Sequence, residues 1–427
     1  MRRRLLLAYS GGLDSTVLLH LLATLRNAGG VAAPWQLRAV HVHHHLQPDA
    51  DRWAQRCRAR CRALGVPFTL RHVRLHLGRG VSLEAAARDA RYAALGELLQ
   101  RDEVLVTAHH EDDQFETLLL QLMRGAGLAG LAAMPEFARF GRGWHARPLL
   151  TVDRRALEEW VRVSAVDWVE DPSNRDLRFD RNFIRQEIAP RLRARWPAAP
   201  TVATRSARHL ADACELLAAL GAADLAESTT DDSIPIDALA ALTAARQRNL
   251  VRHWIAGRGL PLPDERHLAR ILAELPAARV DAMPEVRWPG GAVRRYRGRL
   301  YCVAPLPATG GEKVWAWRRC AQIDLGPGLG RLSLMPDASG PIALARLPER
   351  LTLRWRAGGE RIQPRASGPR RALKDLLREA AVAPWQRSRL PLIFAAARLV
   401  AVADVLTDAS VLANSRTRAR GRIVWQP

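Results

Sequence analysis

The sequence predicts an α/β protein: an N-terminal doubly wound parallel sheet, a helical middle domain, and a small α+β C-terminal domain. Three observations carry that prediction. Short apolar segments alternate with helix-like stretches from the N-terminus to Arg124. Residues 201 to roughly 280 are Ala- and Leu-rich and read as mainly helical. The final stretch, from about 350 onward, mixes strand-like segments with one helix. The expected domains are therefore 1–200, 201–330 and 345–427, with Pro197 and Pro200 punctuating the first boundary.

Strands are expected at Leu5–Tyr9, Leu37–Val42, Phe68–Val73 and Val104–Ala108, all short and rich in Leu and Val. Helices are expected at Ser15–Asn27, Asp51–Leu64, Leu83–Gln100 and Asp112–Arg124. Strands alternating with helices imply βαβ units and a parallel sheet covered on both faces. Ligands of such sheets bind beyond the carboxyl ends of the strands. The loop at Ser10 and the segment at His109 each follow a strand directly, so both should open into one crevice. Thr151–Arg195 reads as helix, loop, helix. Arg287–Ala304 reads as a hairpin turning at Arg297-Gly298-Arg299. Gly- and Pro-rich stretches, Pro305–Gly311 and Gly326–Gly330, lead to strands near Leu351–Trp355 and Leu392–Val402 and a helix at Ala372–Ala381. No internal repeat is visible.

Composition narrows the function classes. No apolar run approaches the roughly 18–20 residues that a membrane span needs. The apolar part of the N-terminus is only Leu5 to Tyr9, so we read no export signal. Five cysteines, few and odd in number, argue for reduced thiols and a cytoplasmic location. The net charge is +22. Only two of the 65 basic residues are lysines, Lys313 and Lys374, as a GC-rich codon bias would produce. That bias explains Arg replacing Lys but not the surplus over Asp and Glu, which favours a polyanionic partner such as nucleic acid.

Ser10-Gly11-Gly12-Leu13-Asp14-Ser15 lies between the first strand and the first helix. Its glycines let backbone approach a charged oxygen, and the helix N-terminus offers free N–H groups and a positive dipole end. Ser10 and Ser15 can add hydroxyl donors. Asp14 would repel phosphate unless a cation intervenes, which suggests a Mg²⁺ ligand. Rival nucleotide motifs are absent: Lys313 precedes Val and Lys374 precedes Asp, so there is no Walker A loop. Ser15 stands where a dinucleotide fingerprint needs its last glycine.

The second motif is Ala108-His109-His110-Glu111-Asp112-Asp113-Gln114-Phe115-Glu116-Thr117. Carboxylates in the first turn of a helix suit its dipole. Asp113 and Glu116, three apart, share one face and can clamp a small cation, an ammonium group or Mg²⁺.

The Ser10–Ser15 string resembles the loop of the PP-loop ATP-pyrophosphatase superfamily, which implies a Rossmann-like sheet and cleavage of ATP between the α- and β-phosphates. The second string resembles the His-His-x-Asp-Asp-x-x-Glu-Thr signature of tRNA(Ile)-lysidine synthetases. Similar segments continue at Arg124–Leu128, Arg147–Leu150, Trp168–Asn174 and Arg181–Arg185, and then at Leu373–Leu377, Pro384–Arg387 and Pro391-Leu392. The resemblance implies ATP and Mg²⁺ as co-substrate and cofactor, with free L-lysine and a tRNA(Ile) bearing a CAU anticodon as substrates. It also implies a homodimer. By the same resemblance Ser10, Gly11, Gly12, Leu13, Asp14, Ser15 and Arg88 bind the nucleotide, with Asp14 near the metal. Asp14, His109, Asp113 and Arg181 are the implied catalytic residues, and Asp113 and Glu116 the lysine clamp. Arg91 and Arg185 remain alternatives to Arg88 and Arg181. The implied reaction adenylates the wobble cytidine through O2, and lysine then displaces AMP at C2. A carboxylate or His109 would take the amine's proton. Arg361, Arg365, Arg370, Arg371 and Lys374 surround a Pro/Gly-rich loop suited to gripping an acceptor stem.

Two rivals remain. A sulfur-inserting tRNA enzyme of the same superfamily needs catalytic cysteines or an iron–sulfur cluster. Here the only close pair, Cys57-x-x-x-Cys61, falls one helical turn apart as packing residues do. A metal-binding regulator is suggested by His41, His43, His44 and His45, because alternation in a strand would put His41, His43 and His45 on one face. Packing or contact with nucleotide or RNA is the alternative expectation for that run.

Overall fold

A computed structural model describes residues 3–28, 35–75, 82–228, 233–279, 282–305 and 309–426. The chain divides into two compact units, Met1–Ala219 and Leu220–Pro427.

The first unit contains β1 (Arg3–Ala8), α1 (Leu13–Ala28), β2 (Trp35–His43), α2 (Ala50–Ala63), β3 (Phe68–His72), α3 (Leu83–Leu98), β4 (Val104–Val106) and α4 (Glu111–Met123). There follow α5 (Leu128–Leu131), β5 (Phe137–Phe140), β6 (Gly143–Ala146), α6 (Arg154–Ser164), α7 (Asp180–Phe183) and α8 (Ala189–Arg195), and α9 (Ala199–Ser228) begins in this unit and ends in the second. The strand order is β3-β2-β1-β4-β6-β5. The first five strands are parallel, and β5 runs antiparallel to β6 at the edge. Adjacent residues of β1 feed opposite faces. Leu7 joins Val17, Leu18, Cys57, Cys61, Leu157 and Val161 beneath α1, α2 and α6. Leu6 joins Val40, Leu95, Leu99 and Leu105 beneath α3. This is the doubly wound sheet that the apolar runs predict. The β5–β6 hairpin was not expected from the sequence.

The sequence reversal between β1 and β4, with β2 on one side and β4 on the other, leaves a crevice at the carboxyl ends of β1 and β4. The Ser10 loop and the His109 segment meet there. Helix α3 starts at Ser82, whose side chain caps Ala85 N at 3.2 Å. Helix α4 starts one residue earlier than expected, with His110 as its N-cap, so Asp113 at the third helical position accepts from His110 N at 3.1 Å.

The second unit opens with β7 (Ser233–Pro235), α10 (Ile236–Ala240), α11 (Ala244–Gly257) and α12 (Glu265–Ala277). These pack with β8 (Glu285–Trp288), β9 (Gly291–Tyr296) and β10 (Arg299–Val303) around Ile234, Leu250, Trp254, Ile271, Val293 and Leu300. The expected hairpin is β9–β10, turning at Arg297 and Gly298, both left-handed. With β7 and β8 the hairpin completes a four-stranded sheet, order β7-β10-β9-β8, on which the helices of this mainly helical region pack.

The remainder is β-rich: β11 (Lys313–Trp315), β12 (Gln322–Gly326), β13 (Gly330–Pro336), β14 (Ile342–Ala343), β15 (Leu351–Arg354), β16 (Arg361–Ile362) and β17 (Arg371–Ala372). Then come α13 (Leu373–Glu379), α14 (Pro384–Arg387), β18 (Leu392–Ala395), β19 (Arg398–Val402), β20 (Leu406–Thr407) and β21 (Arg420–Gln426). The single strand expected at Leu392–Val402 is a hairpin, β18–β19, because Ala396 turns left-handed at φ 51°. Among the described residues no helix is long and apolar enough to cross a membrane.

Candidate active site

The loop between β1 and α1 is built around Gly11 at φ +87°, a conformation that L side chains rarely adopt. A Cβ at Gly11 would meet Cys57 Sγ at 2.7 Å, so the loop lies directly on α2. Ser10 Oγ and Ser15 Oγ are 3.0 Å apart, and Ser15 Oγ donates to Gly12 O at 3.1 Å. Val169 N donates to Gly11 O at 2.9 Å, which brings the Trp168–Asn174 segment against the loop. Within that segment Asp171 caps a tight turn through Ser173 N, and Asn182 Nδ2 donates to Ser173 O and Asp176 O. Asn182 is thus a structural pin.

Asp14 faces α4 across the crevice. His110 Nε2 lies 3.7 Å from Asp14 Oδ2 and 3.5 Å from Asp113 Oδ2, and its Nδ1 lies 3.8 Å from Asp112 Oδ2. His110, to which the sequence reading gave no role, therefore links the loop carboxylate to the helix. Burial pushes the Asp14 carboxyl above its ordinary value; His110 opposes this and Asp113 reinforces it. Asp14 Oδ1 is buried without a hydrogen-bond partner. An unpartnered buried carboxylate oxygen beside a phosphate-type loop fits a hard cation such as Mg²⁺.

Asp113 and Glu116 do share one face of α4, and both Arg181 and Arg185 reach them. Arg181 donates to Asp113 Oδ1 at 3.0 Å and Glu116 Oε2 at 2.9 Å. Arg185 donates to Asp113 Oδ1 at 3.0 Å and to Glu116 Oε1 and Oε2 at 2.6 and 2.9 Å. The choice between the two arginines dissolves: α7 runs into a π turn at Ile184–Ile188, and both guanidiniums face the same pair. Burial raises the Asp113 carboxyl, but His110, Arg181, His109 and Arg185 outweigh it and hold the group well below the carboxylate range. The same pairing holds the Arg181 guanidinium charged despite burial. Arg193 pairs with Asp112.

His109 stands at the end of a polar chain that the sequence did not reveal. Arg147 Nη2 is 3.1 Å from His145 Nδ1, His145 Nε2 is 2.9 Å from Thr107 Oγ1, and Thr107 Oγ1 is 2.8 Å from His109 Nδ1. A guanidinium only donates, so His145 accepts at Nδ1 and carries its proton on Nε2. That N–H donates to Thr107 Oγ1, whose own hydroxyl hydrogen donates to His109 Nδ1. His109 consequently carries its proton on Nε2. Burial, with Arg147, Arg181 and Arg88 adding to it against Asp113, pushes His109 down to about 3, so the ring is neutral. Arg88 lies over Tyr92, 5.1 Å from the ring centroid, and its charge reaches His109 and His145.

The cysteine pair is packing. Cys57 and Cys61 are buried in the core beneath β1, and burial pushes both thiols up to about 12. Such thiols are not nucleophiles. The histidine run does not put His41, His43 and His45 together. His41 Nδ1 meets Tyr9 O at 2.9 Å, while His43 and His45 group with His72. Of the basic residues near the C-terminal loop, Arg361, Arg365, Arg370 and Lys374 are exposed, and Arg371 pairs with Glu379.

Comparison with known proteins finds three matching family models: a PP-loop domain over residues 1–192, a TilS substrate binding domain over 234–301, and a TilS substrate C-terminal domain over 351–425. The tRNA(Ile)-lysidine synthase of Pseudomonas aeruginosa is 45% identical, with 93% of this chain and 89% of that protein aligned. The enzyme of the same name from Pseudomonas syringae pv. tomato is 46% identical over 93% of this chain and 87% of its own. That from Coxiella burnetii is 40% identical over 93% of this chain and 87% of its own.

Proposed function

This chain belongs to the tRNA(Ile)-lysidine synthase family, and on that premise we propose how its N-terminal crevice divides the labour of the reaction. The enzyme is a ligase that uses ATP to attach lysine to C2 of the wobble cytidine in the CAU anticodon of tRNA(Ile), converting its reading from Met to Ile.

The observation that carries the site assignment is the convergence of Asp14, His110, Asp113 and Glu116 between the Ser10–Ser15 loop and α4. In the first step cytidine O2 attacks the α-phosphorus, and the bond to pyrophosphate breaks. Pyrophosphate is received by the Gly11-Gly12 backbone and the α1 N-terminus. Asp14 would hold Mg²⁺, which would supply charge neutralisation at the phosphates when bound. The His109 Nε2–H acts as a donor to the oxygen on which charge develops. In the second step the lysine side-chain amine attacks C2, the C2–O2 bond breaks, and AMP leaves. The amine's proton passes to a carboxylate of the Asp14–Asp113–Glu116 group, because His109 Nε2 already carries one. Asp113 and Glu116 hold the lysine ammonium once Arg181 and Arg185 have turned from them to the phosphate of the activated base.

Residues 1–200 carry this chemistry, and 201–330 and 345–427 grip the tRNA. A homodimer in the cytoplasm completes the proposal. The test is a comparison of Asp113→Asn and Glu116→Gln with wild type in steady-state kinetics. A charge-assisted hydrogen bond contributes about 1.5–3 kcal/mol, so the KM for lysine should rise roughly tenfold to a hundredfold. The KM for ATP should stay near wild type. An unchanged lysine KM in both folded variants would remove these residues from the clamp.

A further inference from the structure

The histidines of β2 that the reaction does not use form a cluster of their own. In the parallel pairing of β2 with β3, His43 stands opposite His72, so both side chains leave the same face of adjacent strands. His45 follows the end of β2 with φ 57°, a left-handed conformation uncommon outside glycine. That turn folds its ring back onto the other two. Ring centroids lie 4.2 Å apart for His43 and His45, 5.0 Å for His43 and His72, and 4.9 Å for His45 and His72. One nitrogen from each ring lies within 4.8 Å of the other two. His45 Nε2 and His72 Nδ1 are 2.9 Å apart.

We propose that His43, His45 and His72 form a binding site for a borderline transition-metal ion of the Zn²⁺ type, separate from the ATP crevice. Tetrahedral Zn²⁺ with Zn–N of about 2.0–2.1 Å needs nitrogens roughly 3.3 Å apart, so small side-chain rotations suffice. His43 Nδ1 accepts from His45 N at 3.3 Å, a long hydrogen bond that the ion would displace. Asp51 Oδ1 lies 3.1 Å from His43 Nε2, so a small rotation would let this carboxylate orient a ligating imidazole through its other N–H. The His43 ring is buried. The His45 and His72 rings are exposed, which leaves an entry path and room for water as the fourth ligand. The two imidazole nitrogens now sharing one proton would each turn a lone pair to the metal, with the protons on their far nitrogens.

The bound ion would cross-link β2, the following loop and β3. Gln47 of that loop donates to Asp171 Oδ1 at 3.4 Å, and the same segment touches the nucleotide loop through Val169 and Gly11. The site thus stiffens one wall of the crevice without contributing to the chemistry. Metal binding is read directly, so failure of this proposal is distinguishable from failure of the lysidine reading.

The test uses the full-length, tag-free chain stripped with a chelator, then titrated with Zn²⁺ by calorimetry and with Co²⁺ by visible absorption. The expected result is one equivalent bound, with a tetrahedral Co²⁺ spectrum lacking thiolate charge-transfer bands. His45→Ala and His72→Ala, both at exposed rings, should each weaken binding at least about tenfold, while His44→Ala should not. Absence of stoichiometric binding, or unchanged affinity in the His45→Ala/His72→Ala double variant, would overturn the proposal. Thiolate bands in the Co²⁺ spectrum would overturn it equally.

Discussion

At the scale of single residues, the protonation of His109 decides its role. Its Nδ1 is taken by Thr107, which is itself held by His145 and Arg147, so the ring presents N–H rather than a lone pair to the crevice. Removing a donor aimed at developing charge costs a factor of about 10²–10³ in kcat. His109→Ala should show a loss of that size in single-turnover AMP release, with little change in the KM for ATP. Thr107→Val, nearly isosteric, should recover the shape but not the proton order, and so lose part of the same factor. A full-rate Thr107→Val enzyme would contradict the chain of donors. Asp113 and Glu116 were legible from their helical spacing, and His109 and Arg181 only from the family resemblance of the strings that hold them. Thr107 and His145 were not readable: each is one polar residue at a strand end, and only the β4–β6 pairing makes them neighbours. Arg185 was visible only as an alternative, because helical spacing from Arg181 does not say which of two arginines faces a carboxylate.

Elements differ in how plainly the sequence announces them. Strands of a parallel sheet are buried on both faces and read as continuous apolar runs, which is why β1, β2 and β4 were found. The β5–β6 hairpin has four-residue strands with alternating exposure that carry Arg139, Trp144 and His145, and it offers no such run. Much of the C-terminal β structure escaped for the same reason: β14, β16 and β17 are two residues each, and β21 carries two arginines. The nucleotide loop makes the sharpest prediction at this scale. Gly11→Ala should destabilise by about 1–2 kcal/mol through the left-handed backbone alone, with the contact to Cys57 Sγ adding to it. A Cβ at Gly12 meets only Ser10 Oγ at 3.5 Å and Val169 O at 3.9 Å. Gly12→Ala should therefore stay within about 1 kcal/mol of wild type, so any loss of ATP affinity there reports the approach of phosphate. Urea unfolding separates the two; equal destabilisation would contradict the geometry.

For the molecule as a whole, buried histidines shape the response to acid. Burial first, then neighbouring arginines, push His44 and His145 down to about 4 and His109 to about 3 from an ordinary 6.5. Between those values and 6.5 the unfolded chain binds protons that the native chain does not, so stability falls as pH falls through that window. Carboxylates held low, such as Asp113, add a loss of the same sign only below their ordinary value of 3.8. The urea midpoint should be flat above about pH 7 and decline steadily toward pH 4. His145→Phe should flatten the decline, and an unchanged slope in that variant would refute this account. Purified enzyme is incubated with Mg²⁺, radiolabelled lysine and an unmodified tRNA(Ile) transcript with a CAU anticodon, with and without ATP. Acid-precipitable label that requires both ATP and that tRNA, matched by AMP release and abolished by Asp14→Ala, is the expected result. A folded enzyme that binds the tRNA and ATP yet incorporates no lysine would contradict it.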